Sequence, residues 1–272
     1  MTHCGRAATG SENPGRARFS HFEAGCPVRW LAFPLRDSFT DVWCVDAEPG
    51  MTEVVRAKAI AVGAAHIRTV TVGAEELPAG PDSFELIVIG NAFHRLRRAP
   101  TAGRAHTLLR PGGCPALCWS TSPWAASQNW QRALAGVLRK WQNALGAAGR
   151  VPPGWDEPRQ RDPDHDVLSR AGFEPAGRHR FPVEHHWTIR ELAGHIRSTS
   201  FLPPPVLADH AAAFDAERRR TTPGAYEQPA AYSCSSPAAS ASSRSRTSLP
   251  GSPARVIRRA IARTIEERSA PS

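Results

Sequence analysis

The chain has 272 residues, 41% of them apolar, which is enough for one large domain or two small ones around an ordinary core. Its formal net charge of +9 comes from 34 Lys plus Arg against 25 Asp plus Glu, and nearly all the bases are Arg, a bias that singles out no ligand by itself. No apolar run approaches the ~18 residues of a membrane span and nothing at the N-terminus reads as a signal peptide, so the six scattered cysteines read as reduced thiols of a cytoplasmic protein.

Residues 1–20 are rich in Gly, Arg, Ala and Ser, with few large apolar side chains to offset the entropy of ordering, and are expected to form a disordered arm. From residue 21 to residue 226 the patterning is that of a globular domain. Strands are expected near His21–Gly25, Asp41–Asp46, Ile67–Val72, Phe84–Asn91 and Cys114–Ser120, with helices between them at Trp30–Ser38, Met51–Val62, Thr101–Leu109 and Trp130–Leu145. Such alternation predicts an α/β fold, a mostly parallel sheet with helices on both faces. Beyond Pro152 the pattern loosens into an antiparallel edge pair across Phe173–Trp187 and helices at Ile189–Ser198 and Val206–Arg220. Residues 227–272 read as a low-complexity tail, rich in Ser, Ala and Pro, that ends in a short basic amphipathic helix with Val256, Ile257, Ala260, Ile261 and Ile265 on its apolar stripe. Both ends differ from the middle as a disturbed reading frame would leave them.

The most informative stretch is Val42-Trp43-Cys44-Val45-Asp46, a buried-strand pattern that ends in a carboxylate and turns through Pro49-Gly50-Met51 into a helix. In open α/β sheets ligands lie at the carboxyl ends of the strands, where an acid can take both hydroxyls of a ribose; the alternative is a surface Asp that merely starts a loop. Further along come Gly73-Ala74-Glu75-Glu76-Leu77-Pro78, Asp82-Ser83-Phe84-Glu85-Leu86-Ile87-Val88 and Leu108-Leu109-Arg110-Pro111-Gly112-Gly113.

In this order and spacing the four segments resemble the successive motifs of class I S-adenosylmethionine-dependent methyltransferases, over roughly Glu23 to Trp141, and Ala171-Gly172-Phe173 is similar to the family's turn into its sixth strand. The resemblance implies a Rossmann-like fold, S-adenosyl-L-methionine as cofactor and a small-molecule methyl acceptor. It implies that Asp46 holds the ribose, that Ala47 and Met51 offer apolar surface to the adenine, that Ala74 and Glu75 meet the adenine edge, and that Asn91 faces the methionine moiety and the methyl group. The first motif would be Glu23-Ala24-Gly25-Cys26, with Glu23, Gly25 and Cys26 at the cofactor. There the chain departs from the family, because Pro27 and Arg29 replace glycines that let the backbone approach a ligand, and Gly73 stands where relatives carry an adenine-binding Asp. These departures keep a second reading open, a weak or inactive methyltransferase-fold protein that serves as a binding or scaffold module.

On the acceptor side the resemblance places Phe93 and His94. His94 could orient an acceptor or simply cap a helix, and Trp119, Trp124, Trp130 and Trp141 could line a pocket or pack as core. Cys114 and Cys118 lack a second ligand pair, and the adjacent His185 and His186 would point to opposite faces of a strand, so no metal is expected. No nucleic-acid ligand is expected either, since the Arg-rich ends lack base-stacking aromatics.

Overall fold

The run Phe84-Glu85-Leu86-Ile87-Val88-Ile89-Gly90 is buried at every position, as a strand covered on both faces must be. In the computed structural model, which describes residues 17–22, 32–120, 122–124, 128–148, 161–174, 177–197, 199, 202–224, 226–235, 238–239 and 259, this run is the fourth of seven strands in one sheet. The strands are β1 (Ala17–Phe22), β2 (Phe39–Asp46), β3 (Ile67–Thr71), β4 (Phe84–Gly90) and β5 (Leu109–Ser120), with β7 (Arg178–Trp187) and β8 (Tyr226–Ser235). Their order is β3-β2-β1-β4-β5-β8-β7. The first five pair in parallel, and β8 lies antiparallel to both β5 and β7. Two further short strands, β6 (Phe173–Glu174) and β9 (Ala238–Ala239), form a separate pair. The expected α/β fold is present, Rossmann-like and mostly parallel, with its antiparallel pair at one edge.

Alternation along β2 and β4 feeds two cores. Val42, Cys44, Leu86 and Val88 pack on one side with α1 (Ala32–Leu35) and α2 (Pro49–Ala61). Val45, Ile87 and Ile89 pack on the other with α3 (Arg98–Leu108) and α5 (Asp164–Arg170). A third cluster joins α4 (Asn129–Ala144), α6 (Ile189–Arg197), α7 (Pro204–Leu207) and α8 (Ala211–Thr221) around Leu138, Trp187, Leu192, Ile196 and Phe214. Cys44, Cys114 and Cys118 are buried thiols of the first core and form no disulfide.

Several boundaries differ from expectation. The first strand spans Ala17–Phe22 rather than His21–Gly25, because the register that sets Phe19–Phe22 between Val42–Val45 and Leu86–Ile89 needs residues from within the expected arm. Of the helix expected at Trp30–Ser38, the described residues form a single turn, α1, followed by a 3-10 turn at Arg36–Ser38. The antiparallel pair does not close within Phe173–Trp187; β7 finds its partner in β8, inside the stretch expected to be tail. The basic helix expected near the C-terminus lies outside the described residues apart from Arg259.

The turn into β5 follows its glycines. Gly112 has φ +80°, and a Cβ on Gly113 would stand 2.9 Å from the Arg110 carbonyl oxygen and 3.2 Å from that of Glu85, so that only glycine clears the backbone there. Beside this turn Glu85, buried in β4, pairs with Arg110.

Candidate functional site

The chain runs from β1 outward to β2 and β3, then crosses back to β4 and β5 on the other side. The strand order therefore reverses between β1 and β4, and in this class of sheet ligands lie outside the carboxyl ends of the strands at such a reversal. Asp46, Asn91 and Ser120 all stand at that edge, as the last residue of β2, the first after β4 and the last of β5.

Asp46 is only 7% exposed. Its carboxylate Oδ1 accepts the Glu48 N–H at 2.8 Å, a bond that turns the chain into α2, and its carbonyl accepts the Val72 N–H at 3.0 Å. Pro49 then occupies the first turn of α2, where its missing N–H has no partner to lose. Thr52, buried one turn in, donates to the Pro49 carbonyl at 2.9 Å and shares a 2.7 Å hydroxyl bond with Thr71 at the end of β3. The ends of β2 and β3 and the start of α2 are thus tied together around the Asp46 carboxylate. Thr52 and Thr71 did not stand out in the sequence, since lone threonines carry no periodic signal.

The other expected contacts are spread differently. Ala47 is exposed at the same edge. Met51 packs against the first core and Ala74 is buried in the second, so these two lie on opposite sides of the sheet. Glu75 is held from the far side: its Oε1 accepts the Thr101 hydroxyl at 3.2 Å and the Arg97 N–H at 3.3 Å. Burial pushes the Glu75 carboxyl up, but hydrogen bonds from backbone N–H groups and from Thr101, together with the charge of Arg97, outweigh it and hold the pKa below the usual range. Glu75 and Glu76 both bring a carboxylate oxygen within 3.8 Å of where a Gly73 side chain would begin, so acidic groups flank the position at which relatives carry their Asp. Glu23, Gly25 and Cys26, with Pro27 and Arg29, lie outside the described residues.

At the β4 end, Asn91 adopts φ +47°, a conformation its short polar side chain tolerates. Its Nδ2 donates to the Ser120 hydroxyl at 2.7 Å and its Oδ1 accepts the Ser120 N–H at 2.8 Å, while its own N–H donates to the Cys118 carbonyl at 2.8 Å. The ends of β4 and β5 are therefore locked side by side. Phe93 is fully buried in the second core, whereas the His94 ring lies 5.4 Å from that of Trp119. Arg95 completes the 3-10 turn of Phe93–Arg95. Desolvation lowers its pKa while the carboxylates of Asp46 and Glu48 raise it, so a cation sits within electrostatic reach of the acidic corner.

Beyond this edge the antiparallel ribbon continues. Tyr232 pairs with both Ser120 and Phe181, and the six further pairs to Tyr226–Trp187 carry β7 and β8 about 20 Å past the end of β5. Trp187 ends that ribbon, and the His195 ring of α6 lies 5.1 Å from it and 5.5 Å from Trp124, in the loop after β5. Trp124, Trp130 and Trp141 all pack against the helical cluster, as core aromatics do.

Residues 22–113, about a third of the chain, match a family model described as a methyltransferase domain. This stretch is similar to a methyltransferase domain. It contains every expected cofactor-contact position and ends at the Gly112-Gly113 turn. Among curated proteins none matches the chain. Among solved structures, the YcgJ protein from Bacillus subtilis overlaps 83% of this chain and 93% of its own with 15% identity and a TM-score of 0.45. The cyclase SpnF overlaps 82% of this chain and 74% of its own at 14% identity and TM-score 0.47. Geranyl diphosphate C-methyltransferase from Streptomyces coelicolor, solved with S-adenosyl-L-homocysteine, overlaps 84% and 72% at 8% identity and TM-score 0.44. Strand order and the matched stretch, rather than these loose overlaps, carry the resemblance. Among the described residues no group of three or more His, Cys, Asp or Glu is placed to hold a metal, and no helix is long and apolar enough to cross a membrane.

Proposed function

We propose that the chain is an S-adenosylmethionine-dependent methyltransferase acting on a small molecule. The observation that carries this reading is the buried Asp46 carboxylate at the end of β2, beside the point where the strand order reverses, inside the stretch that matches the methyltransferase domain. A carboxylate held there by one backbone N–H suits the two hydroxyls of a ribose, since charge-assisted bonds to an oriented, desolvated acid are about twice as strong as neutral ones.

S-adenosylmethionine supplies a methyl group on a sulfonium, and its transfer needs in-line positioning and exclusion of water more than an obligatory base. Asp46 would hold the ribose, the exposed Ala47 and the backbone at Ala74 would border the adenine, and the flanking Glu75 and Glu76 would meet its edge in place of the acid missing at Gly73. Asn91 would set the β4 edge against the methyl group. The His94 and Trp119 rings would form the wall on the acceptor side, where His94 orients a small acceptor. Glu23, Gly25 and Cys26 would close the site from the first motif. Residues 21–226 would serve as the catalytic domain, in the cytoplasm. Pro27 and Arg29 favour the second reading, a binding module that transfers nothing, because both crowd a loop whose backbone must approach the cofactor.

Ultraviolet crosslinking with methyl-labelled S-adenosylmethionine, followed by peptide mapping, tests the assignment. Label is expected on peptides that contain residues 46–51, 72–76 or 91–95 and is competed away by S-adenosylhomocysteine. Label confined to the helices after residue 128, or none at all, would reject it. If label appears at those peptides but no acceptor in a panel of small molecules is ever methylated, the binding-module reading takes its place.

A further inference from the structure

Away from this edge, the most unusual electrostatics lie between α6 and α8. Arg218 is 1% exposed, the largest fully buried side chain described. Its nearest carboxylate oxygen is Asp215 Oδ1 at 3.8 Å from Nε, too far for a hydrogen bond, and neither Nε nor Nη1 has a hydrogen-bond partner. The other oxygen of Asp215, Oδ2, is taken by Arg197 from the end of α6. One carboxylate therefore serves two guanidinium groups. Burial lowers the Arg218 pKa and Asp215 raises it, while the positive charges of Arg219 and Arg197 lower it again.

A guanidinium keeps its charge under such conditions, and each buried donor left without an acceptor costs about 1–3 kcal/mol. Packing gives no reason to retain a cation here, because apolar residues of similar size commonly replace buried charges at no loss of stability. Asp215 Oδ1 is buried and likewise without a hydrogen-bond partner, while nearby the Thr222 hydroxyl donates to the Arg218 carbonyl at 2.8 Å and the Thr199 hydroxyl to that of Ile196 at 2.6 Å. Arg197 keeps 39% of its side chain in solvent, so the cluster opens outward on its side.

We propose that Arg218 and Arg197, sharing Asp215 between α6 and α8, form a binding site for a small oxyanion, a carboxylate or a phosphate, whose single extra negative charge balances the trio and whose oxygens accept the unpartnered N–H groups of Arg218. The planar, multi-donor guanidinium matches either anion. The site is independent of Asp46 and of the cofactor.

The experiment is a thermal-unfolding titration of the full chain, without cofactor, in sodium acetate, sodium phosphate and sodium chloride at equal ionic strength and pH. The expected result is a saturable rise in Tm with acetate or phosphate, about 3–5 °C at tenfold excess over Kd, against a flat chloride arm. Saturation by acetate alone identifies a carboxylate site, by phosphate alone a phosphate site, and by both a general oxyanion site. Phosphate also stabilises proteins by surface exclusion, but that effect does not saturate and survives mutation. Arg218→Met is expected to abolish the saturable part and Arg197→Gln to weaken it several-fold. An absence of saturable stabilisation in the wild-type chain, or an equal one in Arg218→Met, overturns the proposal. If Arg218→Met does not fold, the wild-type curves and Arg197→Gln decide.

Discussion

The parallel half of the sheet and the layer of helices after it treat charge in opposite ways. Around β1 to β5 each buried or half-buried acid has at least one donor: Asp46 Oδ1 takes a backbone N–H, Glu85 takes Arg110, and half-buried Glu75 takes Thr101 and Arg97. Between α6 and α8 the buried charge is a cation with donors to spare. The first arrangement prepares an edge that keeps its shape while it offers acceptors, and the second leaves buried donors without a hydrogen-bond partner. An Asp at a strand end thus reads as a place for hydroxyls, and a buried, under-paired Arg as a place for oxyanions.

The largest expected effects test whether both halves are true cores. Phe84 is 1% exposed and meets Trp43 edge-on at 5.5 Å, and Phe214 is fully buried in the helical cluster beside Trp141. Truncation of either to Ala is expected to cost about 3–5 kcal/mol in urea unfolding. A loss below about 1 kcal/mol for one of them would mean that its cluster is not a packed core, and the comparison would collapse on that side. Next comes Gly113→Ala, where the added Cβ must push on two carbonyl oxygens; a loss of about 1–3 kcal/mol is expected, and no change would show that the β4 to β5 turn relaxes freely.

Glu75 sharpens the comparison through pH. Its carboxyl is held below the ordinary glutamate range, so its contribution is fully present above the unfolded value and is lost as pH falls through the lower folded value. Unfolding free energy measured from pH 6 to pH 3 should therefore fall less steeply in Glu75→Gln than in the wild type, and identical slopes would show that the bonds from Thr101 and Arg97 do no work. The smallest effect belongs to the exposed pair Lys140 and Glu217, 2.8 Å apart between α4 and α8. Lys140→Ala should cost no more than about 0.5 kcal/mol, and less in high salt.

What could be read in the sequence follows the same division. β4 announces itself because burial on both faces requires an unbroken run such as Leu86 to Ile89, and Asp46 stands out because an acid at the end of the apolar stretch of β2 is costly without a purpose. β1 and β8 do not. Arg18 and Ser20, or Ser233 and Ser235, carry no apolar period, and these strands are placed by the backbone bonding of their neighbours. The same holds for contacts made by tertiary geometry: nothing in Asn91 or Ser120 alone says that they will join, and Arg218 in a run of three arginines reads as a solvated helix end. Met51 and Ala74 were legible as apolar residues near the edge, but not as members of two separate cores.

The central claim is that Asp46 marks the cofactor position, and equilibrium binding of S-adenosylhomocysteine to the wild type and to Asp46→Ala tests it most directly. Calorimetry should show one site in the wild-type chain and an affinity lower by about 10–100-fold in the variant, the worth of one or two charge-assisted hydrogen bonds, with thermal stability nearly unchanged. Equal affinity in the two proteins, or no binding to the wild type at millimolar ligand, would contradict it.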